Sequence, residues 1–350
     1  MQKRILTINE IYSDNIGDQA IAEALRKFCQ VDQGIQVDSV DFSFRKFFLQ
    51  HKANNSIKKY KRTLRAYVPT ILKKVFFLFK NFKNAKLIAS LKYDLAIIGG
   101  GQLILGKGSF PYSLFLYTYF LKRQGTKIKL VSVGVGENFN EVEKYLIKKS
   151  LNIIDSIYLR DKKSIDNLRK IFNKESKFSP DIAYYLHEDN YNYPILKTLK
   201  SLICPVAYSV YKRYEKESGN QDLTLDEYKN LWISFIRERL QIFDQVFLSA
   251  TTIIDFEFTC ELKKFFTFQE QKKISFKICQ SFHDFIDLAK ESSEVLSGRM
   301  HALILSHNLG LKIFPFEISK KLQTYNEEYL NKEAKDYKYI LLSLQSEILK

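Results

Sequence analysis

Arg299 and His301 stand two positions apart in the run Ser297-Gly298-Arg299-Met300-His301-Ala302, and the two side chains divide a task between them. A guanidinium grips a carboxylate or phosphate through two parallel N–H···O bonds, because its planar fork matches the spacing of the oxygens. An imidazole, with an ordinary pKa of ~6.5, gives or takes a proton near neutrality. Together they suit an anionic substrate that undergoes acid–base chemistry. The plainer alternative is an arginine in a surface ion pair beside a histidine that caps its helix.

Other runs place small or charged residues where apolar stretches stop: Asn15-Ile16-Gly17-Asp18, Gly99-Gly100-Gly101-Gln102, Ser132-Val133-Gly134-Val135-Gly136-Glu137, Arg160-Asp161 and Ser179-Pro180-Asp181. Asn15 or Asp18 is available to cap a helix whose first N–H groups could dock an oxygen-rich ligand. The run from Gly101 to Gly108 imitates a phosphate loop, yet Gly108 replaces the Ser or Thr that must ligate magnesium, which excludes a P-loop nucleoside triphosphatase. Ile104 stands where a dinucleotide fingerprint needs its third glycine. His51, His187, His283 and His307 are scattered, and Cys29, Cys204, Cys260 and Cys279 are widely spaced, so neither a metal cluster nor a disulfide framework is expected. A reducing, cytoplasmic setting fits this cysteine usage. No Ser-His-Asp pattern or nucleophilic cysteine stands out.

The elements that must carry these runs alternate in character. Strand-like Arg4 to Ile8, Leu95 to Ile98, Lys129 to Val133 and Ser156 to Leu159 each precede a helical pattern, a βαβ rhythm that predicts a parallel sheet. After the Asn-, Asp- and Tyr-rich stretch at 189–194 a second cycle begins, with strands at Ser201 to Val206, Gln245 to Leu248, Ile274 to Ile278, Val295 to Ser297 and Lys312 to Phe316. The chain of 350 residues exceeds the roughly 100 to 200 usual for one domain. The reading is therefore α/β, two doubly wound Rossmann-like domains facing across a cleft, 1–193 and 194–350, with ligands outside the carboxyl ends of strands.

Charge is distributed unevenly. The net formal charge is +16, and residues 42–93 contain fourteen Lys and Arg with no Asp or Glu, leaving 55 − 14 = 41 basic against 39 acidic residues elsewhere. Beyond Pro69, the residues Ile71, Leu72, Val75, Phe76, Phe79 and Phe82 share one face of a predicted helix, flanked by Lys73, Lys80 and Lys83. Such a helix suits an anionic membrane surface; the alternative is a helix packed onto the sheet by its Phe stripe. Nucleic acid is not an expected partner, since no zinc-finger, RNP or helix-turn-helix signature accompanies the charge. The apolar stretch near Met1 spans four residues, too short for a signal peptide's core, and no apolar run approaches the roughly 18 residues of a membrane span.

Taken in order, Asn15-Ile-Gly-Asp18, Asp94-Leu-Ala-Ile-Ile-Gly-Gly-Gly101, Ser132-Val-Gly-Val-Gly136, Arg160-Asp-Lys-Lys-Ser164, Ser179-Pro-Asp181 and Ser297-Gly-Arg-Met-His-Ala302 resemble the polysaccharide pyruvyl transferase family over nearly the whole chain. The resemblance implies a fold like that of GT-B glycosyltransferases with the active site between the domains. It also implies transfer of the carboxyvinyl group of phosphoenolpyruvate onto sugar hydroxyls as a pyruvate ketal. The family's Arg-Leu-His motif, which binds the donor, becomes Arg299-Met300-His301, with Arg160 and Lys321 as further cations and His301 as general acid. Asp18, Asp181 or Glu137 would orient or deprotonate the acceptor, and Asn15, Gly17, Gly100, Gly101 and Gly136 would line the substrate site. No metal or other cofactor is expected, because cations hold the donor's carboxylate and phosphate. The chain departs from the family pattern in lacking an acidic residue after Gly101 and in carrying Glu137 and Lys312 where proline is frequent. A saccharide or lipid-linked saccharide acceptor at the inner face of the cytoplasmic membrane would give the basic segment a purpose. The runners-up are a glycosyltransferase using a nucleotide sugar, against which no Glu-x7-Glu signature follows Pro194, and a divergent, non-catalytic binding protein.

Overall fold

Parallel strands covered on both faces need apolar residues at nearly every position, and the strands that precede the candidate site runs meet that need. The computed structural model describes residues 2–45, 70–106, 108–188, 199–218 and 221–350, the side chains of 70, 71, 216–218, 320 and 321 excepted. The basic residues of 46–69 and Lys107 lie outside the described residues.

The chain forms two compact units. Unit 1 comprises Met1–Ser13, Ile21–Ile182 and Leu344–Lys350. Its elements are β1 (Lys3–Asn9), α1 (Ile16–Cys29, whose first turn groups with unit 2), β2 (Ile35–Asp41), α2 (Thr70–Ser90), β3 (Leu95–Gly99), α3 (Phe110–Arg123), β4 (Lys127–Val133), α4 (Glu141–Leu151), β5 (Ser156–Leu159), α5 (Lys162–Phe172) and β6 (Lys177–Phe178). The sheet runs β2-β1-β3-β4-β5-β6, with every neighbouring pair parallel. Strand order reverses between β1 and β3, which makes the loops after those two strands the natural ligand edge. Leu6, Ile8, Ile98, Leu130 and Val133 carry the core.

Unit 2 comprises Asp14–Ala20 and Ala183–Ser343. Its elements are β7 (Lys200–Cys204), α6 (Tyr208–Ser218), α7 (Leu225–Ile242), β8 (Gln245–Leu248), α8 (Ile253–Glu261), α9 (Phe268–Lys273), β9 (Ile274–Phe276), α10 (Phe282–Lys290), β10 (Glu294–Ser297), α11 (Met300–Asn308), β11 (Lys312–Pro315), α12 (Lys320–Tyr329) and α13 (Ala334–Leu349), the last of which ends in unit 1. The parallel sheet runs β11-β10-β7-β8-β9 and reverses between β7 and β10. Helix starts are written locally. Thr224 and Glu227 form a reciprocal capping box on α7, as do Ser281 and Asp284 on α10.

The units divide at Ile182 and Ala183, while the expected break between 193 and 194 falls among residues outside the description. Two short exchanges, 14–20 and 344–350, also depart from a division into two contiguous stretches. Among the described residues no helix is long and apolar enough to cross a membrane.

Candidate functional site

In unit 2 the Arg299-Met300-His301 run begins where β10 ends, at the reversal of strand order. Ser297 pairs with Cys204 of β7 on one side and Pro315 of β11 on the other, so the chain leaves the sheet at its switch point and enters α11. The Ser297 hydroxyl accepts the Arg299 backbone N–H at 3.0 Å and so fixes the turn. The Arg299 Nε donates to Asp255 Oδ2 at 2.7 Å; the guanidinium is 25% exposed and the carboxylate 1%. Asp255 also accepts the Ala207 backbone N–H at 2.9 Å and the Thr252 hydroxyl at 2.7 Å. Among the described residues nothing else takes the guanidinium, which leaves its Nη edge able to grip an oxyanion.

His301 lies in the first turn of α11 and is buried. The loop Asn15-Ile16-Gly17 presses on it. A Cβ at Gly17 would stand 2.5 Å from His301 Nδ1 and 2.6 Å from its Cβ, closer than side-chain carbons approach, so only glycine admits the imidazole here. That loop is fixed at both ends: Ile16 donates its N–H to the Thr251 carbonyl at 3.0 Å, and the Asn15 side chain caps α1 by accepting the Gly17 N–H at 3.0 Å. Asn15 is thus the cap, while Asp18, half-buried, sits in the helix's first turn. Two runs far apart in sequence, at 15–17 and 299–301, meet around one imidazole.

In unit 1 the candidate residues collect at neighbouring strand ends. Gly100 and Gly101 follow β3 with φ of +70° and +71°, and a Cβ on Gly100 would lie 2.2 Å from Ile21 Cγ2, so the turn requires glycine. The β4 end is bonded to it, Gly134 N–H donating to the Gly101 carbonyl and Gly136 N–H to the Ile104 carbonyl, each at 2.8 Å. Ser132 adopts φ +56°, a costly conformation for a non-glycine residue, with its hydroxyl 3.0 Å from that of Ser179. Arg160, buried at the end of β5, donates to Asp161 and to Asp181, both at 3.2 Å. Glu137, directly after Gly136, forms an exposed pair with Lys163 at 2.7 Å. Lys321 falls in the first turn of α12, and its side chain is outside the described residues.

Asp255, the partner of Arg299, is the residue of this group that the sequence reading did not single out. Its signal was present: Thr252-Ile-Ile-Asp255 is a helix-start pattern directly after β8, in the same sheet edge as Ser297. What the pattern lacks is any pointer to Arg299, 44 residues on. Among the described residues no group of three or more His, Cys, Asp or Glu is placed to hold a metal ion.

Residues 15–320 match the family model described as polysaccharide pyruvyl transferase. A comparison with curated protein sequences finds no match. Among solved structures, the chain is similar to MnaA of S. aureus, solved with UDP, at 12% identity and a TM-score of 0.54, covering 99% of this chain and 94% of that one. It is also similar to UDP-GlcNAc 2-epimerase of Methanocaldococcus jannaschii, at 13% identity and a TM-score of 0.54, covering 100% of this chain and 93% of that one. At such identities the likeness is one of fold, two Rossmann-like α/β domains of the GT-B-like class.

Proposed function

The chain belongs to the polysaccharide pyruvyl transferase family, a family of transferases, and from that premise we propose that it moves the carboxyvinyl group of phosphoenolpyruvate onto a saccharide as a pyruvate ketal. The acceptor in this reading is a precursor of a bacterial surface polysaccharide or exopolysaccharide. The observation that carries the proposal is the Arg299 guanidinium, held through Nε by buried Asp255 with its Nη edge uncommitted, two residues from His301 at the start of α11.

The chemistry assigns each group one task. Arg299 receives the donor's carboxylate or phosphate, oxygens that ask for two parallel N–H donors. His301 in its protonated form gives a proton to the donor's methylene carbon, which becomes the methyl group while C2 takes on oxocarbenium character. A first sugar hydroxyl bonds to C2. The C2–O bond to phosphate then breaks, a second hydroxyl closes the ketal, and of the two hydroxyl protons one restores the imidazolium and one leaves with phosphate. Arg160 and Lys321 enter as further cations toward the donor, although Asp161 and Asp181 already take two of the Arg160 nitrogens. Asp18, Asp181 and Glu137 remain the candidates that orient or deprotonate the hydroxyls.

Binding of phosphoenolpyruvate, set against a panel of nucleotide sugars by calorimetry on wild type and Arg299→Ala, tests the donor. Selective phosphoenolpyruvate binding that the substitution abolishes is the expected result; preference for a nucleotide sugar would move the protein to the glycosyltransferases. His301→Ala should keep donor binding and lose turnover by about 10²-fold or more, read as phosphate release with a saccharide acceptor.

A further inference from the structure

Helix α2 carries apolar residues on two faces, and the fold covers one of them. Phe77, Leu78, Ala85, Ile88 and Ala89 turn toward the unit 1 core. Lys74 turns inward as well, pairing with Glu143 at 2.9 Å. On the other side Leu72 is 54% exposed, Val75 44%, Phe76 66%, Phe79 78% and Phe82 49%. The stripe that the sequence offered as a membrane face, or else as a packing face, is thus the one facing outward. Lys73, Lys80, Lys83 and Lys86 are exposed with it, and no acidic residue occurs between 42 and 93.

We propose that this outward face of α2 is a docking surface for an anionic phospholipid bilayer. Phe76 and Phe79 enter the boundary between headgroups and acyl chains, and the lysines reach along the same plane to lipid phosphates. The assignment of the occupant rests on charge and on the mix of side chains. A face that is at once aromatic and purely cationic matches the apolar and anionic layers of a bilayer at their natural spacing, the lysine stems lying on apolar surface while their ammonium groups reach outward. A second copy of the chain docked face to face would bring lysines against lysines. Nucleic acid rewards the charge but leaves five apolar side chains in water. The helix lies on the membrane rather than through it, and the inference is independent of the reaction assigned to the site.

Flotation of the full chain with phosphatidylcholine vesicles, with and without phosphatidylglycerol, tests it. Wild type should float with the anionic vesicles alone and be released by high salt. The triple variant K73E/K80E/K83E should lose about tenfold or more of its bound fraction, and so should F76S/F79S at low salt. Every substituted side chain is exposed, so thermal melts should stay unchanged. Wild type remaining at the bottom of the gradient would overturn the proposal, as would variants that float like wild type. Self-association in sedimentation that F76S/F79S abolishes, without flotation, would assign the face to a second copy instead.

Discussion

A carboxylate with 1% of its side chain exposed must be compensated, and Asp255 receives three donors: the Ala207 N–H, the Thr252 hydroxyl and the Arg299 Nε. Removing it strands a half-buried guanidinium, so Asp255→Ala should cost about 3–5 kcal/mol in urea denaturation. The near-isosteric Asp255→Asn separates positioning from folding. It should raise KM for phosphoenolpyruvate about tenfold with a smaller change in kcat, because the arginine is then loosely aimed rather than absent. An unchanged KM would mean that the pair only holds the fold. Gly17→Ala probes the imidazole in the same way: its methyl must displace His301, and turnover should fall about tenfold or more while donor binding persists. The placement of Arg299 and His301 at a strand-to-helix junction was readable, because a short apolar run ending in Ser297-Gly298 marks it locally. Asp255 and the fit of Gly17 against His301 were not, since each depends on a pairing across 44 or more residues that no local pattern encodes.

At the scale of elements, α11 shows what one helix settles at each end. Its first turn carries His301, and its last carries His307, packed against Tyr184 at 3.0 Å within a cluster that includes Tyr329. Burial pushes the His307 imidazole down from 6.5 to about 4, with His187 adding repulsion while the Lys332 carbonyl and Glu333 pull upward. Because the unfolded chain binds this proton more readily, stability falls as pH drops below 6.5, and the loss is complete near pH 4. Between pH 7 and 5 the group should cost about 2 kcal/mol, measurable by urea titration at both values. His307→Gln should flatten that slope; parallel slopes would place the proton elsewhere. The α11 limits were legible in sequence, as was β8, because short apolar runs bounded by Asp, Ser and Gly leave little choice. Strand β2 was not anticipated: it is an edge strand whose Gln36, Asp38 and Ser39 interrupt the apolar pattern. The sequence left open which side of α2 packs. The Phe76 and Phe79 stripe suited a membrane or a packed face equally by pattern, and it is Ala85 and Ala89 that supply the surface fitting against the core.

Across the whole molecule, a stretch that follows unit 2 in sequence returns to unit 1. Residues 344–350 belong to unit 1, where Ile348 and Leu349 are buried, although 161 residues of unit 2 separate them from Ile182. Their contacts are specific. Gln345 donates to the Phe28 carbonyl at 2.7 Å, Lys129 to the Glu347 carbonyl at 2.8 Å, and Tyr158 to the Glu347 carboxylate at 2.9 Å. Nothing in the sequence period distinguishes this tail from the rest of α13, so the contiguous domains expected from the βαβ rhythm could not include it. Unit 1 therefore cannot complete its packing until residues 344–350 are made, a long-range closure that slows folding. Ending the chain after Ser343 exposes the sites that Ile348 and Leu349 fill, each worth about 1.5–3 kcal/mol, and leaves buried Lys129 without its carbonyl acceptor. Urea denaturation should then begin at a lower concentration for unit 1 than for unit 2, resolved by hydrogen exchange of β1 and β4 against β7 and β10. If the truncated chain protects β1 and β4 as the full chain does, the tail merely rests on unit 1. Faster exchange confined to those two strands is the outcome that the burial of Ile348 and Leu349 requires.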